Sequence, residues 1–209
     1  MTSYRHPLGR AALAVAMTGA ALALAACGAD GSSTGHSAHE GSSPSASASA
    51  PASGSASRHD AADVSFAKGM IPHHRQAVEM ADLAAGRASS AEVKALASEI
   101  KKAQDPEIKT LSGWLTAWGE DVPAKGADHS GHAMAGMMSG DDMSGLEKAS
   151  GKAFDTAFLD LMVEHHEGAV AMARTEQAEG AHQGAKDMAD DIIASQTAEI
   201  TRMKALLGS

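Results

Sequence analysis

The stretch MIPHHRQAVEM, beginning at Met70, returns as MVEHHEGAVAM beginning at Met162. The match runs on without a gap. Phe66 pairs with Phe158, His73 with His165, His74 with His166, Ala77 with Ala169 and Met80 with Met172. Further along, Ile100 pairs with Ile192, Gln104 with Gln196, Glu107 with Glu199 and Leu115 with Leu207, all at one offset. A chain that carries one pattern twice is most simply built from two copies of one unit, stacked to bury what neither buries alone.

Each half reads as two helices. Helix A spans about Asp63 to Ala85, and Gly86 and Arg87 begin a turn. Ser89 or Ser90 can cap helix B, with Glu92 in its first turn; helix B runs to about Trp118, and Gly119 suits its end. Helix C spans about Leu146 to Ala178, and helix D about Gln183 to Leu207. Pro72 kinks helix A or marks its true start, and Pro106 is expected to kink helix B. No segment alternates with a period of two, so no sheet is expected. The predicted fold is all-α: a four-helix bundle of two duplicated hairpins, about 63–119 and 146–208. Aromatic residues make up only 3% of the chain, while Ala and Met are plentiful, which suits closely packed helices.

Polar residues fall on the apolar stripes of these helices. Helix A's stripe holds Phe66, Met70, Ala77, Ala81 and Ala84, with His73 on one shoulder and His74 on the other. Met70 lies one turn before both histidines, and Met80 lies two turns beyond His73. Helix C repeats this with Met162, His165, His166 and Met172. Gln104 and Glu107 sit within the stripe of helix B, as Gln196 and Glu199 do in helix D. An inward carboxylate must be paired, protonated or metal-bound, and the facing histidines are the obvious partners. Met70, His73, His74, Met80, Glu107, Met162, His165, His166, Met172 and Glu199 are therefore candidate metal ligands. A structural polar layer of hydrogen-bonded His, Gln and Glu is the competing reading.

Between the halves lies DHSGHAMAGMMSGDDMSG, residues 128–145. It holds His129, His132, Met134, Met137, Met138 and Met143 among Gly, Ser and Ala. With no helical or strand period, it reads as an exposed loop whose methionines gain nothing from packing. Thioether and imidazole together suit copper, Cu(I) above all. Drift in a low-complexity linker is the alternative.

The first 27 residues have a basic start, Arg5 and Arg10, then a small and apolar run ending Leu24-Ala25-Ala26-Cys27. This is a secretory leader, too short for a membrane span of roughly 20 apolar residues. Its end resembles the bacterial lipobox, which makes Cys27, the chain's only cysteine, the lipidation site. Residues 28–58, rich in Ser, Ala and Gly, read as a disordered tether; His36 and His39 within it read as stray surface residues. Residues 59–209 form the bundle domain. With no other cysteine, any soft ligand must be methionine sulfur. There is no basic stripe, so nucleic acid is not an expected partner.

The repeated MIPHH…AVEMA and MVEHH…AVAMA, each followed by a helix with Gln-x-x-Glu-Ile, resemble the secreted bacterial family catalogued as domain of unknown function 305. The resemblance covers about Asp60 to the C-terminus. It implies a ferritin-like four-helix bundle and, from members associated with copper binding and tolerance outside the cytoplasm, ligands at Met70, His73, His74, Met80, Met162, His165, His166 and Met172. The expected function is an extracytoplasmic protein, lipid-anchored to the bacterial cell membrane, that sequesters or transfers copper as Cu(I) or Cu(II), and not an enzyme. A ferritin-like di-metal oxidase is the alternative, since such bundles use Glu-x-x-His motifs. Glu179 to His182 is one such motif, but its counterpart is Arg87 to Ser90. A metal-free interaction bundle is the third reading.

Overall fold

The computed structural model describes residues 58–126 and 134–208. The leader with Cys27, most of the tether with His36 and His39, and His129 and His132 lie outside the described residues. Within the described residues five helices follow one another: α1 Ala61–Arg87, α2 Ala91–Trp118, α3 Gly140–Lys148, α4 Gly151–Glu179 and α5 Gln183–Leu207. The fold is all-α, and the described residues contain no strand. α1 pairs with α2, α4 pairs with α5, and the hairpins meet along α1 and α4.

The helix ends follow local chemistry. Asp60 and Asp63 form a reciprocal capping box at the start of α1, so Pro72 lies inside that helix and does not mark its start. Ser90 caps α2 through the N–H groups of Glu92 and Val93, and Gly119 closes it with a left-handed φ of 77°. Helix C begins later than expected. Leu146 belongs to α3, and the chain breaks at Ala149–Ser150 before α4 starts at Gly151, whose φ of 62° few side chains tolerate.

A pair of buried aspartates ties the hairpins together. Asp63, on α1, accepts the N–H groups of Ala181 and His182 in the α4–α5 turn, at 3.2 and 2.9 Å. Asp155, on α4, accepts those of Ser89 and Ser90 in the α1–α2 turn, both at 3.0 Å, and the Ser89 hydroxyl. The two aspartates hold matching positions in the repeat, as do the two turns. Each hairpin thus lends a carboxylate to the other's turn.

Among the described residues the core is two apolar clusters. One holds Met80, Leu96, Ile100, Phe154, Phe158, Met162 and Met203; the other holds Phe66, Met70, Ile71, Leu111, Leu115, Ala169 and Ile192. Along each of the four long helices, buried polar residues fall between the clusters: His73 and His74, Gln104, His165 and His166, and Gln196. The bundle is cut across its middle by a buried polar layer.

Candidate metal centre

All four histidines of the layer have no solvent exposure. They come from the middle of α1 and α4, where Ala77, Ala81, Ala169 and Ala173 leave room for rings between the helices. The His73 and His165 rings meet across the hairpin interface, with centroids 3.8 Å apart and planes tilted by 42°.

The outer histidines are held by the carboxylates expected from the sequence. His74 Nε2 lies 2.7 Å from Glu107 Oε2, and His166 Nε2 lies 2.7 Å from Glu199 Oε2. Both glutamates are only partly buried, so their second oxygens are not enclosed in the layer. His73 Nε2 is 3.3 Å from the Ala135 carbonyl, which can only accept. In each of these three rings, a proton on Nε2 leaves Nδ1 with a lone pair. The Nδ1 atoms of His73, His74 and His166 are buried with no protein partner, and His165 has none at either nitrogen.

Electrostatics keep the inner pair neutral. Burial, then the neighbouring His74, pushes His73 down to about 3. Burial, then His73 and His166, holds His165 well below its ordinary value. Neutral rings keep the lone pairs a metal uses.

Imidazole alone does not complete a cage. Among the described residues, no three His, Cys, Asp or Glu side chains are grouped to hold one ion. Thioethers flank the layer on both sides, grouped across helices and not within them as the linear repeat suggests. Met80 and Met162 belong to one apolar cluster; Met70 belongs to the other, against which Met172 packs. Two imidazoles with one or two thioethers is a donor set suited to Cu(I).

The segment between the hairpins departs from the exposed loop expected. Residues 134–139 lie in the groove between α1 and α4. The Gln76 side chain makes two hydrogen bonds with the backbone of Met138, at 3.0 and 2.8 Å. A Cβ on Gly168 would stand 2.1 Å from the Ala135 carbonyl oxygen, so glycine is what lets the segment in. Met138 is buried and Met143, within α3, packs against the same cluster. Packing therefore accounts for both. Met134 and Met137 are half-buried. Sequence reasoning missed Gln76 and Gly168, whose signal is that they occupy the same repeat position and differ.

The Glu179-x-x-His182 motif does not assemble a metal pair. Glu179 is exposed at the end of α4, while His182 caps α5 through Nδ1, 3.1 Å from the Ala185 nitrogen. The His182 ring packs edge-on against Trp114 and Trp118.

The family described as Domain of unknown function (DUF305) matches residues 63–207. The chain is 37% identical to CopM in its Cu(II)-bound form, over 70% of this chain and 95% of that one, with a TM-score of 0.62. CopM in its Cu(I)-bound form is 36% identical over 69% of this chain and 94% of that one, at a TM-score of 0.58. A DUF305 protein from Streptomyces coelicolor is 33% identical over 70% and 91%, at a TM-score of 0.64. Comparison with curated proteins finds no match.

Proposed function

Since the chain belongs to the DUF305 family, we propose that it is an extracytoplasmic, lipid-anchored protein that binds copper for sequestration or transfer, not for catalysis. One observation carries this reading: a fully buried layer of four histidines in which five ring nitrogens have no protein partner. Burying such groups costs free energy, and a ligand that uses their lone pairs recovers it. The arrangement also follows the usual build of metal sites, in which a ligating histidine gives its other N–H to a carboxylate or carbonyl. Glu107, Glu199 and the Ala135 carbonyl stand in that position. In this reading the two glutamates orient histidines, and Met70, Met80 and Met162 supply sulfur. The copper-bound structures of CopM support the choice of metal. The leader and Cys27 support anchoring outside the cytoplasm.

Anaerobic titration with Cu(I), followed by elemental analysis, tests the reading. The wild-type protein retains copper through gel filtration. Replacing His73, His74, His165 and His166 with alanine removes the bundle-bound metal. Unchanged stoichiometry in that variant would sink the assignment of the layer.

A further inference from the structure

The groove between α1 and α4 holds a second group of soft donors outside the layer. Ideal Cβ placement on Gly69 puts that atom 3.6 Å from the Met134 sulfur and 3.6 Å from the Met172 sulfur. Two thioethers from different elements, the inter-hairpin segment and α4, thus converge over one glycine. The repeat shows this to be a local departure. The counterpart of Gly69 is Leu161, and the counterpart of Met172 is Met80, which is fully buried in the apolar core. Met172, by contrast, is only partly buried.

Met172 also lines a pocket of about 410 Å³, shared with Phe66, Thr175, Glu176 and Glu179. The pocket opens to solvent at the exposed Glu179. On the inner side, Gly69 lies one helical turn before His73. The residue after Met134 supplies the carbonyl that holds the His73 ring. Met172 therefore borders the solvent-facing pocket on one side and, with Met134 across Gly69, the stretch of α1 that leads to the buried His73 on the other.

We propose that Met134 and Met172 form a capture site for Cu(I), from which the ion passes to the His73–His165 layer. This deepens the copper reading and rests on it. Two partly exposed thioethers are a weak, low-coordinate set, suited to holding a soft monovalent ion briefly. Transfer is ligand exchange: a Cu–S bond breaks as a Cu–N bond forms, copper stays Cu(I), and no electron moves. Proximity of the two donor sets makes that step intramolecular.

The test is the rate of loading. The purified protein is mixed anaerobically with Cu(I) held by a chromophoric chelator, and both transfer rate and final occupancy are read. The double variant Met134→Leu, Met172→Leu conserves volume and should load roughly tenfold more slowly with final occupancy and affinity unchanged. Gly69→Ala should load normally, because a Cβ fits there at ordinary contact distance. Gly69→Leu, which copies the other half of the repeat, should be as slow as the double variant. Wild-type rates in the double variant would overturn the capture role. So would a loss of equilibrium affinity matching the loss of rate, which would make the sulfurs terminal ligands. A wild-type protein that takes no copper at all would overturn the copper reading itself.

Discussion

Single residues set the chemistry at both ends of this site. Glu176 is buried beside Asp63, and burial, then the Asp63 carboxylate, pushes it up to about 8. Its counterpart in the first half is Ala84, so only one end of the bundle carries this group. A carboxyl whose folded value lies above its ordinary 4.5 binds a proton more tightly when folded. Its contribution to stability is then full at acid pH and is lost as pH rises through the interval from 4.5 to about 8. Urea midpoints should fall across that window, and Glu176→Gln should flatten the fall. A slope unchanged in the Gln variant would assign the pH dependence elsewhere. Gly168 gives a second test at this scale. Alanine normally favours a helix over glycine by about 1 kcal/mol. Here a Cβ would collide with the Ala135 carbonyl, so Gly168→Ala should expel residues 134–139 from the groove. Limited proteolysis should show new cleavage there while α4 stays folded.

The helices show how much of this was legible beforehand. The duplication, the hairpin pairing and the ends of α2 and α5 follow from apolar period and caps. So do His74–Glu107 and His166–Glu199, because each pair of opposed polar residues sits on facing stripes. What escaped notice depends on places where helices meet elements distant in sequence. Asp63 and Asp155 look like ordinary acidic residues of a first turn or helix body, and only the folded chain brings each to the other hairpin's turn. The docked segment was misread because glycine-rich sequence has no period, and its anchors are Gln76 and Gly168 on remote helices. Repetition reveals what the halves share. It does not reveal what rests on positions where they differ: Gly69 against Leu161, Gln76 against Gly168, Glu176 against Ala84. The aspartate exchange carries its own expectation. Asp63→Ala or Asp155→Ala leaves two turn N–H groups without their acceptor and should lower unfolding free energy by about 2–3 kcal/mol each. Denaturant titration measures this. A loss confined to one of the two would show that the hairpins are not stapled symmetrically.

At the scale of the whole molecule, the polar layer lies between the two apolar clusters of the core along the four long helices. A purely structural layer would have its polar groups satisfied by one another, since unpaired ones only weaken the fold. His165 violates that condition at both nitrogens. The structural and the metal-binding readings therefore predict opposite signs for one substitution. If the layer exists to fix the packing, His165→Leu destabilises the metal-free protein. If it exists to bind metal, His165→Leu removes an unsatisfied buried group and raises metal-free stability by about 1 kcal/mol. It also abolishes most of the stabilisation that copper confers, which for the wild type should reach about 2.7 kcal/mol at a free concentration a hundred times Kd. Thermal melts of both proteins, each with and without Cu(I), measure all four quantities. We expect the variant to melt higher than wild type without copper and lower with it. A bundle that gains stability by losing its central histidine keeps that residue for its ligand, whereas a variant weaker in both conditions would return the layer to a packing role.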